Sequence, residues 1–362
     1  MAPTRIEVAA HAGPYPIVIG PGVLATLPQL LDQSALGPRR VIVSSPLVWQ
    51  LHGKAIKKTS TEREPILVPD GERFKTLATV GRVYDALLQL GADRSTVIIA
   101  VGGGVIGDLV GFAAATYMRG LRLVHVPTTL MGQVDSAVGG KTGVNHTLGK
   151  NLIGAFHTPR LVLADPDLLS TLHRREFRAG LYEVIKYGII ASPTLFERVG
   201  SSLPSLFARD PDALSAIVSE SCRIKAEVVS ADERESGLRR ILNFGHTVGH
   251  ALEAVTRYRR FRHGEAVAYG MLAAVNLGAA RGVTPPEVCI RVTRLITQLG
   301  PLPSVADLSI KEIVGAIAHD KKIVEGALLF IAATEMGSTT TLKDVNQKDL
   351  MGALKAIGIK KA

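Results

Sequence analysis

The sequence has little cysteine and no apolar run long enough to cross a bilayer. Its two cysteines, Cys222 and Cys289, stand in helical patterns and lack the spacing of metal ligands. Such usage is typical of buried apolar residues in a reducing compartment rather than of a disulfide pair. The first residues also lack the apolar core of a signal peptide, so we expect a cytoplasmic protein that does not bind membranes.

Acidic residues are outnumbered by basic ones, which gives a formal net charge of +10. This balance is compatible with nucleic acid, with an anionic small substrate, or with a basic surface alone. The densest basic run, residues 257–262, interleaves arginines with aromatic residues but is short, and no other run of basic residues is longer than two, such as the Lys-Lys close to the C-terminus. We therefore expect an anionic substrate and no nucleic-acid partner, and we interpret the run as a solvated loop.

A glycine-rich turn follows the most apolar segment of the chain. Residues 97–101 are five consecutive apolar residues, which predicts a buried parallel strand, and Gly102, Gly103 and Gly104 follow at once. Gly102, Gly104 and Gly107 satisfy the dinucleotide pattern G-x-G-x-x-G, and the residues after them have helical spacing. The acidic ribose partner usual about 20 residues further on is missing. A nucleotide or phosphate site is favoured here, and a tight turn without a ligand is the alternative.

Strands and helices alternate through the first half of the chain, and helical periods dominate the second. Further strands are predicted at residues 6–8, 17–19, 41–43, 66–68, 123–126 and 161–164. Helices are predicted at residues 76–90, 178–190, 211–231, 241–256, 265–280, 286–299, 311–318 and 347–356, with one isolated strand at 327–332. The pattern predicts an α/β nucleotide-binding domain with a parallel sheet over residues 1–172, followed by an all-helical metal-binding domain over residues 173–362.

Two groups of polar residues are hard to explain by packing. Residues 132–151 combine Gly, Ser and Thr with Asp135, Lys141, Lys150 and Asn151, which favours a loop that binds anionic oxygens over a merely solvated one. Further on, Glu183 and Lys186 are one helical turn apart in an apolar helix, so they share a face and are expected to point into a site.

The histidines give the sharpest local signal. His246 and His250 are four residues apart on one predicted helix, and His263 opens the next. With an upstream glutamate they predict a divalent metal such as zinc. Spacing alone favours His246 and His250 as the ligand pair, and histidines that cap or pack helices are the alternative.

Seven motifs, in this order, resemble those of 3-dehydroquinate synthases, which are sugar phosphate cyclases. They are GGGVIGDLVGFAAATYMRG (102–120), VPTTLMGQVDSAVGGKTGVNH (126–146), LGKNLIGAFH (148–157), GLYEVIKYG (180–188), RRILNFGHTVGHALE (239–253), HGEAVAYGM (263–271) and HDKK (319–322). The resemblance covers nearly the whole chain, and it implies an N-terminal nucleotide-binding domain and a C-terminal helical metal domain.

The resemblance also implies the reaction. A lyase of this family converts 3-deoxy-D-arabino-heptulosonate 7-phosphate into 3-dehydroquinate and phosphate in the shikimate pathway of aromatic amino acid biosynthesis. Transient oxidation by NAD is followed by phosphate elimination, re-reduction, ring opening and an intramolecular aldol closure. The implied cofactors are NAD and one divalent metal, Zn²⁺ or Co²⁺, and the partners are the phosphorylated keto-acid sugar and a second copy of the chain in a homodimer.

Site residues follow from the same resemblance. The implied metal ligands are Glu183, His246 and His263, which displaces His250 to substrate contact and proton transfer. The implied NAD-binding residues are Asp70, Gly71, Glu72, Arg73, Phe74, Lys75, Gly103, Gly104, Val105, Ile106, Gly107, Asp108, Thr128, Thr129, Leu168, Leu169, Ser170 and Thr171. Asp135, Lys141 and Lys150 are implied to be shared between cofactor and substrate. The implied substrate-binding residues are Arg119, Asn151, Lys186, Lys225, Glu235, Arg239, Asn243 and Lys321 or its neighbour Lys322.

Two other enzyme functions and one binding function stay open at this point. A sister cyclase would act on another sugar phosphate with the same scaffold. An NAD- and metal-dependent polyol dehydrogenase would release NADH, but a neutral polyol needs no cluster of cations. A basic nucleic-acid binder would not need Glu183, His246 and His263.

Overall fold

The computed structural model describes residues 2–59, 64–235, 237–318, 323–324 and 327–361. The chain forms two compact units. The first contains Met1–Phe177 and Phe207–Glu233, and the second contains Arg178–Leu206 and Arg234–Ala362. The first break lies near the predicted boundary at 172/173. The return of residues 207–233 to the first unit, however, was not predicted from the sequence.

The first unit is built on a seven-stranded sheet with an added hairpin. Its strands are β1 Thr4–Val8, β2 Tyr15–Ile19, β3 Arg40–Ser44, β4 Ile66–Leu67, β5 Val97–Gly102, β6 Arg122–Pro127, β7 Lys141–His146, β8 Gly149–Phe156 and β9 Leu161–Ala164. The sheet order is β1-β2-β9-β6-β5-β3-β4. All neighbours are parallel except β1 and β2, so the predicted parallel sheet is confirmed with one antiparallel edge.

Helices cover both faces of this sheet. They are α1 Leu27–Gln33, α2 Pro46–Ile56, α3 Leu77–Gln89, α4 Gly104–Thr116 and α8 Pro211–Ala231. The beginning of α5 Arg174–Ile190 also belongs to this unit. Alternate residues of one strand enter two separate cores: Val41 and Val43 pack in the core that contains α3 and α4, and Ile42 packs in the core that contains α1. Burial on both faces explains why the strands read as unbroken apolar runs.

The second unit is mostly helical. It contains the rest of α5, then α6 Pro193–Ser201, α7 Leu203–Phe207 up to Leu206, α9 His246–Val255, α10 His263–Ala280, α11 Pro286–Gln298, α12 Ile310–Ala318 and α13 Gln347–Ala356. Its strands are β10 Ile323–Val324, β11 Ala327–Leu328, β12 Phe330–Glu335 and β13 Ser338–Leu342. The expectation of an all-helical domain with one isolated strand is therefore wrong in this part, because β12 pairs with β13 in an antiparallel hairpin.

The glycine-rich segment 132–151 is ordered, not a loop. It begins with a short π-helix, Gly132–Ser136, and continues into β7, which pairs with β8. Gly143 lies opposite Gly154 in this hairpin, where an added Cβ would lie 2.6 Å from the carbonyl oxygen of Ile153. Glycine is needed here because the two strands approach closely. In the sequence, glycines placed for this reason look the same as the glycines of a loop.

Candidate active site

The glycine turn joins β5 to α4 as the sequence predicts. Gly103 is the N-cap of α4, and an added Cβ on it would lie 2.9 Å from Cγ2 of Thr129. An added Cβ on Gly104 would lie 2.9 Å from Oγ of Ser136. Because side chains are excluded, the backbone N–H groups at the start of α4 can be approached closely by a bound anion.

Lys75 holds the loop after β4 against the turn. Its side chain is buried, is ion-paired with Asp108, and donates a hydrogen bond to Oδ1 of Asn151 at 2.6 Å. Burial raises the pKa of the Asp108 carboxyl, and the Lys75 ammonium counteracts part of that shift. Three predicted site residues, distant in sequence, therefore meet at one ammonium group.

Asn145, which was not among the predicted site residues, joins the hairpin to the same loop. Its backbone N–H donates to the carbonyl of Lys75 at 2.8 Å, and its Nδ2 donates to Oε1 of Glu72 at 2.8 Å. Its Oδ1 accepts from the N–H of Asn151 at 3.0 Å. Lys150 lies 3.5 Å from the same Glu72 oxygen, so Asn145 orders the surroundings of both lysines.

Lys225 reaches the site from α8. Its Nζ lies 2.5 Å from Oδ1 of Asp135 and donates to the Asp135 carbonyl at 2.6 Å. Lys225 is buried, so this ion pair is only weakly screened by solvent. The helix itself packs against β1, β2 and residues 132–136, which is why residues 207–233 belong to the first unit.

The other predicted residues of the first unit are more scattered. Leu168 and Leu169 are buried, and Leu168 packs in the core that contains α1. Thr171 accepts or donates a hydrogen bond with His52 Nε2 at 2.9 Å. Arg119 has a left-handed backbone, with φ of 67°, and follows Met118 with φ of 48°. The remaining residues are Asp70, Gly71, Arg73, Ser170 and Lys141, which are exposed, and Phe74, Val105, Ile106, Gly107 and Thr128, which are at least partly buried.

Glu183 is the centre of the second unit's site. It lies on α5 with no exposed side-chain surface, and Lys186 Nζ lies 2.5 Å from its Oε2. Within the described part of the chain neither Glu183 oxygen accepts a hydrogen bond. The Lys186 ammonium offsets part of the cost of burying this carboxylate, and Oε1 stays available to a second cation.

Two histidines turn their Nε2 atoms toward this carboxylate. Nε2 of His246 lies 3.6 Å from Glu183 Oε1, and Nε2 of His263 lies 3.5 Å from it. Nδ1 of His246 lies 3.1 Å from the carbonyl of Phe244, and Nδ1 of His263 lies 3.2 Å from Oε2 of Glu253. Carbonyl and carboxylate oxygens only accept hydrogen bonds, so these two contacts require a proton on each Nδ1. A ring that carries no second proton then presents the Nε2 lone pair to Glu183.

These three atoms fit a divalent metal. Lone pairs that face one another at 3.5–3.6 Å repel unless a metal ion or a proton lies between them. Tetrahedral ligands about 2.0–2.1 Å from a zinc ion are about 3.4 Å apart, close to the spacing seen here. The donor set of two nitrogens and one carboxylate oxygen also suits zinc or cobalt.

His250 lies beside this group, one turn after His246. The ring centroids of His250 and His246 are 5.3 Å apart, and those of His250 and His263 are 5.8 Å apart. One nitrogen from each of the three histidines lies within 4.8 Å of the others. All three histidines therefore lie close together. The ion-pair distances to Glu183, however, involve only His246 and His263 among them.

Arg239, Asn243 and Glu235 precede α9. Arg239 is buried, and Asn243 Nδ2 donates to Glu235 Oε1. Glu235 itself has a left-handed backbone with φ of 62°. Lys321 and Lys322 lie outside the described residues.

The basic run 257–262 is not a solvated loop throughout. Arg260 makes two hydrogen bonds to Asp307, at 2.7 and 2.8 Å. Phe261 is buried and packs edge-on against Tyr269. The run therefore anchors the segment between α9 and α10, although Arg257, Arg259 and Arg262 remain exposed.

No helix of the described residues is sufficiently long and apolar to cross a membrane. Burial raises the pKa of the Cys222 thiol to about 12, so this cysteine is not a nucleophile at neutral pH.

Comparison with known proteins gives a consistent result along the chain. A family model described as 3-dehydroquinate synthase N-terminal matches residues 65–179, and one described as 3-dehydroquinate synthase C-terminal matches residues 180–323. A 3-dehydroquinate synthase of Pelotomaculum thermopropionicum is 47% identical over 347 residues, which are 94% of each chain.

Two solved structures share the fold. The 2-epi-5-epi-valiolone synthase of Streptomyces hygroscopicus subsp. jinggangensis, with NAD⁺ and Zn²⁺ bound, is 30% identical with a TM-score of 0.86 and covers 95% of this chain and 96% of its own. A 2-deoxy-scyllo-inosose synthase, complexed with carbaglucose-6-phosphate, NAD⁺ and Co²⁺, is 28% identical with a TM-score of 0.86 and covers 98% and 100%.

Proposed function

The chain belongs to the 3-dehydroquinate synthase family, and we propose how its residues divide the work of that family's reaction. The reaction is the conversion of 3-deoxy-D-arabino-heptulosonate 7-phosphate into 3-dehydroquinate and phosphate, with NAD and a divalent metal as cofactors. When bound, NAD accepts and returns a hydride, and the metal acts as a Lewis acid at the hydroxyl that is oxidised.

The metal ligands in this proposal are Glu183, His246 and His263. The observation that carries it is the convergence of Glu183 Oε1 with the two Nε2 atoms at 3.6 and 3.5 Å. The Lys186 ammonium lies 2.5 Å from the second Glu183 oxygen, Oε2, and Oε1 is the oxygen that faces the two histidines.

NAD is proposed to bind the first unit at the glycine turn and its neighbours. Residues 103–108 offer the N-terminus of α4 to the pyrophosphate. The loop at 70–75 and the threonines 128–129 lie at the ends of β4 and β6, where ligands of parallel sheets bind. Residues 168–171 follow β9 at the same edge.

The substrate's phosphate and carboxylate are proposed to bind cations. Lys150 and Lys225 are each held by a carboxylate, at 3.5 and 2.5 Å, so their ammonium groups have fixed positions before an anion arrives. Fixed donors lose less conformational entropy on binding. Arg119, Lys141, Asn151, Arg239, Asn243 and Lys321 or Lys322 complete the proposed set, with Glu235 as its acidic member.

His250 is the proposed proton carrier. Its ring stands beside both proposed ligand histidines, but it is the one of the three that we assign no metal bond. An imidazole at this place can take a proton from the substrate and return it near neutral pH.

The experiment is phosphate release from the heptulosonate phosphate with a catalytic amount of NAD. We expect phosphate without net NADH, loss of activity with a chelator, and recovery with Zn²⁺ or Co²⁺. The His263→Ala variant should lose bound metal and activity together, and the exposed His11→Ala serves as its control.

Other outcomes would identify the rival functions. Phosphate release from another sugar phosphate but not from the heptulosonate would indicate a sister cyclase. Accumulation of NADH on simple polyols would indicate a dehydrogenase. An active, fully metallated His263→Ala variant would contradict the ligand assignment.

We also infer a homodimer in the cytoplasm. The hairpin of β7 and β8 exposes Leu148, Leu152 and Phe156, an apolar surface that a second copy could cover. Both cysteines are free thiols, as expected in a reducing compartment. Light scattering at working concentration tests the oligomeric state. We also propose that the N-terminal domain first ends at 172/173 and that residues 207–233 return to it.

A further inference from the structure

Glu253 is a buried acidic residue to which the proposed reaction assigns no role. It lies on α9, seven residues after His246 and three after His250. Its side chain is 3% exposed, and its Oε2 lies 3.2 Å from Nδ1 of His263 at the start of α10. A carboxylate is rarely buried without a specific partner, because desolvation is costly.

This contact decides which nitrogen of His263 is protonated. Glu253 as a carboxylate can only accept, so the hydrogen bond requires a proton on Nδ1 of His263. The neutral ring then has its lone pair on Nε2, the atom that lies 3.5 Å from Glu183 Oε1. Without an acceptor at Nδ1, the ring could take the other tautomer and turn an N–H toward the metal position.

His246 and His263 are held in the same way by partners of different charge. His246 faces a neutral carbonyl, that of Phe244, which belongs to the backbone immediately before α9. The backbone thus fixes His246, whereas His263 depends on a side chain from another helix. Glu253 is the group through which α9, which carries His246, also orients the ligand on α10.

We infer that Glu253 is a positioning residue for the divalent metal, acting through His263. This inference rests on the proposed ligand set. Glu253 fixes the tautomer and the orientation of the His263 ring, and a hydrogen-bonded carboxylate makes Nε2 a stronger donor to a metal. Loss of such a partner commonly lowers metal affinity about 10- to 100-fold.

A purely structural role predicts something different. If Glu253 only links α9 to α10, its removal lowers the stability of the metal-free protein, and metal affinity falls only as a consequence. If Glu253 positions His263, metal affinity should fall by more than the lowered stability of the metal-free protein explains. Removing one partner of a buried hydrogen-bonded pair is itself destabilising, so the test compares the size of the two losses.

The test uses the full chain, stripped of metal and titrated with Co²⁺ against a chromophoric chelator. Glu253→Met removes the acceptor, and we expect affinity to fall about 10- to 100-fold, with an altered visible spectrum of the bound Co²⁺. Glu253→Gln keeps an accepting oxygen and should recover part of the affinity. The thermal midpoint of each metal-free variant is measured alongside.

Glu265→Gln is the matched control. Glu265 is also buried, lies two residues after His263, and accepts from the backbone N–H of Arg262, which the glutamine oxygen can still do. It loses the same charge near the metal without touching the His263 contact, so we expect Co²⁺ affinity within about twofold of the parent protein. An equal loss in Glu265→Gln and Glu253→Met would refute the inference in favour of a general charge effect.

A measurement on the unaltered protein covers the case in which Glu253→Met does not fold. Long-range ¹H–¹⁵N correlation spectra of the metal-free chain at pH 8 report the tautomer of each histidine. We expect His263 to be protonated on Nδ1, and protonation on Nε2 would overturn the inference. Failure of the parent protein to bind Co²⁺ would instead contradict the proposed ligand set.

Discussion

Gly270 sets the distance between the two helices that carry the proposed metal ligands. It lies on α10, and an added Cβ would be 1.7 Å from the carbonyl oxygen of Gly245, the N-cap of α9. Real Cβ atoms essentially never approach other atoms closer than 3.0 Å. In Gly270→Ala the two backbones must therefore separate by about 1.3 Å, the difference between 3.0 and 1.7 Å.

Such a displacement exceeds what a metal site tolerates. Gly245 directly precedes His246, so the movement shifts a ligand on α9 relative to His263 on α10. Metal–ligand distances in a functional site deviate from their ideal values by no more than about 0.2 Å. Since the expected displacement is larger, we expect metal affinity to fall at least about 100-fold. Overpacking a tight interface also costs about 1–3 kcal/mol of the free energy of unfolding.

The assay is Co²⁺ titration and thermal unfolding of the metal-free chain, with Gly352→Ala as control. Gly352 lies on α13 and is exposed, and an added Cβ meets no atom within 4 Å. Alanine there should be neutral or stabilise by about 0.5–1 kcal/mol, because it favours helix. Parent-like Co²⁺ affinity in a folded Gly270→Ala variant would refute the reasoning that helix spacing sets the ligand geometry.

Two further predictions concern the first unit. Asn145→Ala removes the side-chain hydrogen bonds to Glu72 and Asn151, and we expect the Kd for NAD, measured by calorimetry, to rise about tenfold. The control variant Thr147→Ala changes an exposed residue of the same hairpin and should bind NAD like the parent protein. An unchanged Kd in Asn145→Ala would contradict the proposed role of the hairpin. Burial lowers the pKa of His125 to about 4, below its unfolded value of about 6.5, so stability is complete above pH 6.5 and is lost as the pH falls toward 4. Between pH 7 and pH 5 this histidine should cost about 2 kcal/mol of unfolding free energy, seen in urea denaturation and missing in His125→Gln; equal pH dependence in both proteins would show that His125 is not buried in its neutral form.

Local pattern was sufficient where neighbouring residues alone decide the structure. The turn at Gly102–Gly104 was predicted because strand, turn and helix follow one another in sequence. The helices α8 and α13 begin and end where their periodicity indicates, at Pro211–Ala231 and Gln347–Ala356. Glu183 and Lys186 share one face of α5 as predicted, because they are one helical turn apart.

Composition misled where glycine serves strand pairing. Segment 132–151 has the residues of a flexible loop, yet its glycines permit β7 and β8 to approach closely. Gly143 is required because Gly154 lies opposite it in the hairpin, and a pattern of neighbouring residues does not show that pairing. The same limit applies to Arg260, whose partner Asp307 is far away in sequence.

The sequence by itself determined the strand–turn–helix unit, the helical faces and the residue types that can hold a metal, because these depend on neighbours a few positions apart. Spacing alone favoured His246 and His250 as the metal ligands, because sequence spacing relates only residues of the same helix. Only the tertiary structure brought Glu183 of α5, His246 of α9 and His263 of α10 to one point, and placed Glu253 behind His263. Those contacts join separate helices, and their distances are set by how the helices pack.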